Sequence, residues 1–245
     1  MDFHFMSDTF LSLLAGVPKT LQLATISITA GAVLAFTLAS LRLYGPWPVR
    51  MAVRGYIFVF RGTPLLVQIF LIYYGLGQIT AIRHSFAWAY LREPFWCAVL
   101  ALSMNTGAYA AEIIRGGILS VPYGQIEAAW ACGMSGKRTF LRIILPVGLR
   151  QVLPAYSNEI ILIVKSTSLA SIITLMEVTG IAYKVISQTY NAVPVFVCAG
   201  TIYLVINFFI TRVMLLLERK LTPHLRPRAI ERDGEDGSIA RIPTA

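Results

Sequence analysis

Glu127 to Pro146 reads EAAWACGMSGKRTFLRIILP, and it lies between two long apolar segments. Val121-Pro122-Tyr123-Gly124 makes a turn ahead of it. Gln125 to Cys132 then reads as a short helix, with the small residues Ala128 and Ala129 side by side. Gly133 stands where that helix would end in the left-handed conformation, which glycine adopts at little cost. Ser135 is placed to cap a second helix, Lys137 and Arg138 fall in its first turns, and Pro146 limits its reach. A helix, a glycine elbow and a second helix on a membrane surface make a docking shape. Small residues admit a close partner, and the elbow fixes the angle. A solvated amphipathic connector has the same spacing, so the pattern by itself leaves both readings open.

The surrounding chain is apolar. Of its 245 residues, 56% are hydrophobic and 13% charged, and the mean hydropathy is +0.67. These values lie outside the range of soluble domains and imply an integral membrane protein. The net charge of +9 raises nucleic acid as a partner, but the basic residues flank apolar segments, as the positive-inside rule expects, so nucleic acid is set aside. Cys97, Cys132 and Cys198 lie far apart without metal-ligand spacing and read as small buried hydrophobes; no metal site is expected. The first 16 residues carry Asp2 and Asp8 but no basic region and no cleavage site, so no signal peptide is expected and the first span directs insertion.

Five spans are expected. Residues 1–20 read as an interfacial segment, weakly amphipathic over 7–16. Span one runs about Leu21 to Leu43, enough to cross roughly 30 Å of hydrocarbon. Tyr44 to Pro48 is a turn with Trp47 at headgroup level, and span two runs about Tyr56 to Gly77, interrupted by Arg61-Gly62-Thr63-Pro64. Thr80 to Glu93 is a polar loop with Trp88 and Tyr90 as interface anchors. Span three runs about Pro94 to Ile114 and is rich in Ala and Gly, which suit close helix packing. Span four is irregular: Gln151 to Val164 is followed by a break at Lys165-Ser166-Thr167-Ser168, and Leu169 to Ile186 continues as a kinked or re-entrant passage. Span five runs about Val193 to Leu217. The span region is therefore 21–218, followed by a basic tail, 219–245, expected to be largely disordered.

Most Lys and Arg fall on one set of connections, among them Arg42, Arg50, Arg54, Arg115, Lys137, Arg138, Arg142 and Arg150. Lys19, Arg83, Arg92 and Lys184 fall on the other. The first side is cytoplasmic, which puts the N-terminus outside and the C-terminus and the 115–146 connection inside.

Charges within the spans mark the candidate site. An ionised group at mid-bilayer costs about 3 kcal/mol or more, so it faces a cavity or a partner. Arg61 lies beside Gly62 and Pro64, which loosen the helix, and Glu159 follows Ser157 and Asn158. An Arg can take a carboxylate as a fork, and a Glu can take an ammonium or a cationic side chain. Thr63, Gln68, Asn105 and Asn158 are further candidates for contact with such a solute. The bland alternatives are that Arg61 pairs with Glu159 or with a subunit interface, and that the amides serve interhelical hydrogen bonding. Glu112 sits three residues from Arg115, as in a local ion pair, and Glu177 and Lys184 fall near the outer face, where solvation satisfies them.

The 127–146 stretch resembles the "EAA" cytoplasmic loop of ABC importer permeases, with Glu127, Ala128, Ala129, Gly133, Leu145 and Pro146 at the matching places. Arg115 to Pro122, Gly124-Gln125, Arg61 to Gln68 and Leu153 to Glu159 resemble the polar amino acid uptake family, in its M-type branch for histidine, arginine or opines such as octopine. The likeness extends over about residues 20–220. It implies an all-α membrane protein of the type I importer permease fold, in a bacterial inner membrane, with five spans and a coupling helix between spans three and four. It implies a permease for polar, basic amino acids or opines that is not itself an enzyme. Gln125, Glu127, Ala128, Ala129 and Gly133 would contact the ATPase. The implied partners are an ABC ATPase dimer that binds ATP and Mg, a homologous permease in a heterodimer, and a periplasmic solute-binding protein; this chain holds no cofactor.

Catalytic motifs argue for no other chemistry. Gly133 to Arg138 lacks the first Gly of a phosphate loop and has Arg138 where Ser or Thr is needed. Position 80, where a dinucleotide motif starting at Gly75 needs its third Gly, is Thr. No His-Glu-x-x-His occurs, so metal catalysis is not expected, and a lipid-modifying enzyme is disfavoured because no catalytic cluster falls near an interface; no catalytic residue is assigned. An ion-coupled transporter using Arg61 and Glu159 as a relay is the alternative, but it leaves the 127–146 stretch without a use.

Overall fold

The computed structural model describes residues 3–221, and the charged tail beyond lies outside the described residues. Helix α1 (Phe3–Leu14) is followed after a two-residue break by α2 (Val17–Tyr44). Gly45-Pro46 turns the chain into α3 (Trp47–Gly62), and Thr63-Pro64 turns it again into α4 (Leu65–Phe70), which widens into a π turn over Leu71–Gly75. Two single-turn helices, α5 (Thr80–Arg83) and α6 (Trp88–Leu91), bridge to α7 (Pro94–Leu119). Next come α8 (Tyr123–Ala131), α9 (Gly136–Thr139), a π turn over Phe140–Ile144, and α10 (Leu145–Ser166). A 3₁₀ segment, Thr167–Ile173, leads to α11 (Val178–Thr189) and α12 (Ala192–Leu221). Among the described residues, three helical stretches are long and apolar enough to cross a membrane, and five passages result when each of two bent pairs counts as one.

Helix α7 is the most enclosed of these and α12 the least. The sequence explains the difference. Ala98, Ala101, Ala108, Ala110 and Ala111 put small side chains on several faces of α7, so α2, α3 and α10 all pack onto it. At Gly117 the approach is closest. A Cβ there would lie 2.8 Å from the Gly148 carbonyl oxygen and collide with Val152, so α7 and α10 meet nearly backbone to backbone. Helix α12 presents Leu204, Phe209 and Leu216 outward, as a lipid-facing helix does.

The second passage differs from its expected outline. It starts at Trp47, not near Tyr56, and turns through 107° between Gly62 and Leu65. Proline explains the turn. Pro64 has no N–H for the Phe60 carbonyl and disfavours helical geometry at Thr63, which is extended at φ −114°, ψ 145°.

The fourth passage also departs from expectation. Pro146 does not end the helix after the elbow. The π turn ahead of it takes up the misfit, its last bond running from the Leu145 N–H to the Phe140 carbonyl, and the chain stays helical to Ser166. Lys165 to Ser168 is a change to 3₁₀ winding, not a break. The bend comes between Ile173 and Val178, at 44°, with Thr174 in the left-handed region at φ 65°. Glu177 is not solvated but fully buried there. It caps α11 by accepting from the Gly180 N–H at 2.9 Å, and it accepts from the Tyr203 hydroxyl at 2.6 Å. Cys97 and Cys198 are buried, whereas Cys132 is exposed at the end of α8.

The elbow takes the expected form. Gly133 has φ +75°, the Gly133 N–H donates to the Trp130 carbonyl at 2.9 Å, and the Met134 N–H donates to the Ala129 carbonyl at 3.0 Å. These two bonds make a Schellman end, which requires the left-handed residue. Ser135 occupies the cap position of α9, but its side chain makes no capping bond.

Candidate functional site

The corner after α3 leaves backbone acceptors that need donors. The Gln68 amide, on α4, donates to the Phe60 carbonyl at 2.9 Å, to the Thr63 carbonyl at 3.1 Å and to the Thr63 hydroxyl at 2.9 Å. Asn105, on α7, donates to the Gln68 side-chain oxygen at 3.0 Å and approaches the Phe60 carbonyl at 3.3 Å. The Thr63 hydroxyl donates in turn to the Val59 carbonyl at 2.7 Å. Buried acceptors cost free energy when unmatched, so this network fixes the open corner against α7.

Beside the corner lies a recess of about 490 Å³ lined by Arg61, Thr63, Asn105, Tyr109, Glu159 and Ser166, with Gly62, Pro64, Leu65, Leu162 and Ile163. Glu159 comes from α10 and is 7% exposed. The Thr106 hydroxyl donates to its Oε1 at 2.9 Å. The Arg61 guanidinium lies over the Tyr109 ring, 5.1 Å from its centre, and the Tyr109 hydroxyl donates to the Arg61 carbonyl at 3.4 Å. Arg61 and Glu159 thus face one recess from two helices, and no ion pair joins them. A solute carrying both a cation and a carboxylate finds a partner for each.

Four of the six residues expected here, Arg61, Thr63, Asn105 and Glu159, line the recess. Gln68 is buried behind it as the clamp on the corner. Asn158 is exposed and lies off the recess, one position along α10 from Glu159 and so about 100° round the helix. Thr106, Tyr109 and Ser166 were not expected. Their signal is helical phase: Tyr109 is four residues from Asn105, and Ser166 seven from Glu159, on the same faces.

Glu112 forms the expected pair with Arg115, at 3.0 Å, and a second ion pair with Arg42 across from α2. Just beyond the same end of α7, α8 stands out on the surface. Gln125, Glu127, Ala128 and Gly133 are exposed, while Ala129 is buried under the elbow. Tyr123 and Trp130 stack edge to face, 6.2 Å apart, and both are at least half exposed.

Apolar passages thus surround a charged, open recess. The chain belongs to the binding-protein-dependent transport system inner membrane components, whose family model matches residues 27–223. It is thus a multi-pass inner-membrane permease subunit of an ABC importer, working with an ATPase and a solute-binding protein, and ATP hydrolysis lies in the separate ATPase subunits. It is 56% identical to the octopine transport system permease protein OccM of Rhizobium radiobacter, over 95% of each chain. It is 52% identical to the arginine ABC transporter permease protein ArtM of Escherichia coli K12, over 69% of this chain and 75% of that one. A crystal structure of an amino acid ABC transporter with histidines superposes with a TM-score of 0.81 at 33% identity, over 90% of this chain and 99% of that one. The MetNI methionine ABC transporter shares the fold, with a TM-score of 0.70 at 18% identity over 86% of this chain and 97% of that one.

Proposed function

We propose that this chain forms the translocation path for a basic amino acid or opine. Glu159 receives the solute's cation and Arg61 its carboxylate, with Thr63 and Asn105 adding polar contacts. The observation that carries this reading is the placement of a buried carboxylate and an arginine, from two different helices, in the lining of one recess without an ion pair between them. The names of the octopine and arginine relatives support the same class of solute.

In this proposal the Tyr123–Thr139 elbow is the coupling element. Gln125, Glu127, Ala128 and the Tyr123–Trp130 pair meet a groove on the ATPase, whereas Ala129 seats the helix from within. Closure of the ATPase pair on ATP and Mg moves the elbow and opens the path to the other side. What matters is a difference in contact between the two states, not tight binding to both. The N-terminus lies outside and the C-terminus inside, as the Lys and Arg distribution supports. A homologous permease completes the membrane pair, the span region extends over 21–218, and this chain holds no cofactor.

Glu159→Gln tests the reading. Uptake of arginine or octopine by the full reconstituted complex is expected to fall about ten-fold or more, since one charge-assisted contact is lost. Uptake unchanged in rate and in range of solutes would move Glu159 to a purely structural role.

A further inference from the structure

A cleft of about 450 Å³ shares no lining residue with the recess at Glu159. Ala32 and Phe36 of α2, Pro146 and Tyr156 of α10, and Leu221 at the end of α12 help to line it. Its walls run from the elbow inward. Pro146 follows the π turn, and Tyr156 lies ten residues further along α10, about 15 Å at 1.5 Å per residue. On the facing helix, Ala32 lies twelve residues back from Tyr44, whose ring meets Phe140 of the π turn edge to face. Roughly 15 Å is half the hydrocarbon thickness of a bilayer, the depth of one leaflet.

Among the residues that line this cleft, Arg150 alone is charged. It is exposed, and no ion pair among the described residues includes it. Arg150 lies one turn into α10 from Pro146. A cation at that depth is costly unless its stem carries the charge back to headgroup level, where an anion meets it. Arg219 and Lys220, both exposed, precede Leu221 in the last turn of α12; Glu218, in the same turn, has an interaction of its own. An apolar cleft one leaflet deep with basic residues at its mouth matches the layout of an anionic phospholipid, and basic pockets between membrane helices suit such headgroups.

We propose that this cleft holds one acyl chain of an anionic phospholipid from the leaflet at the elbow end, with the lipid phosphate on Arg150 and within the field of Arg219 and Lys220. The chain itself decides little, because neighbouring lipid tails are as apolar as the cleft. The headgroup makes the choice. A guanidinium takes two phosphate oxygens as a fork, and each basic side chain near an anionic surface is worth about five-fold in affinity.

The test supplies the purified full complex with equal amounts of phosphatidylglycerol and phosphatidylcholine and counts the retained lipids by native mass spectrometry. The wild type is expected to retain phosphatidylglycerol in preference. Arg150→Gln is expected to lower that preference about five-fold, and Arg150→Lys to keep most of it, since the charge remains. Ala32→Phe, which fills the deep end of the cleft, should lower retention of both lipids alike. Lys137→Gln, a basic residue of the elbow outside the cleft, should change nothing. A wild type without preference, an unaltered preference in Arg150→Gln, or unaltered retention in Ala32→Phe would overturn the site. An equal loss in Lys137→Gln would do so by reducing the effect to general surface charge. An Arg150→Gln or Ala32→Phe complex that loses the homologous permease on purification would overturn it too, by making the cleft a subunit interface.

Discussion

Replacing Gly133 isolates what a single backbone angle contributes to coupling. At φ +75° the residue is left-handed, and an added Cβ would meet no heavy atom within 4 Å. The cost of Gly133→Ala is therefore conformational and not steric. It amounts to about 1–2 kcal/mol for placing an L-residue in that region. Every 1.4 kcal/mol is about ten-fold in an equilibrium constant, so the bent form should lose roughly 5–30-fold in population against straighter ones. The bonds at stake are those from the Gly133 and Met134 N–H groups to Trp130 and Ala129. Gly133→Asn should be milder, because Asn visits the left-handed region more readily. Gly133→Leu should resemble Ala, since the space around the position is open. The assay is substrate-stimulated ATP hydrolysis by the purified complex, together with membrane yield of the permease. Stimulation should fall in the order Gly, Asn, Ala while yield stays level. Full stimulation in the Ala variant, or Asn as damaging as Ala, would refute the reasoning from backbone geometry.

Three further variants probe the frame that holds the site. Gly117→Val places a branched side chain against the Gly148 carbonyl and Val152, and overpacking of this kind costs about 1–3 kcal/mol or more; it should lower the melting temperature of the purified permease, while Gly116→Ala, which meets nothing within 4 Å, should not. Gln68→Ala strips donors from the Phe60 and Thr63 carbonyls and an acceptor from Asn105, at about 1–3 kcal/mol for each buried group left unmatched; an unaltered melting temperature would show that the corner holds without its clamp. Glu177→Ala removes the cap of α11 and the acceptor for the Tyr203 hydroxyl, and about 1–2 kcal/mol is expected from the cap alone, with Glu177→Gln milder because it keeps an acceptor. Equal melting temperatures for the wild type and the Ala variant would remove Glu177 from the scaffold.

These positions also mark where the sequence was legible. Arg61 and Glu159 declared themselves as charges in apolar runs, and Gly133 as a glycine at a helix end, because each reading needs only local chemistry. Asn158 misled for want of helical phase: Ser157, Asn158 and Glu159 are consecutive, so only one or two of them can face a given wall. Tyr109 and Thr106 are ordinary helix residues until α10 and α3 are packed on α7. Pro64 announced an interruption, but the 107° angle depends on Gln68 and Asn105 reaching the freed carbonyls from more distant positions. Pro146 looked like a stop because the compensating π turn leaves no simple mark in composition. Glu177 looked solvated because its partners, Thr20 and Tyr203, are far from it in the chain.

The coupling role is tested most directly by reconstituting this chain with the homologous permease proposed to complete the membrane pair, with and without the ATPase, and following labelled arginine or octopine against a gradient. Accumulation should require the ATPase and internal ATP, with the solute-binding protein supplied outside. Uphill accumulation by the membrane subunits alone would contradict a permease that draws its power through the Gly133 elbow.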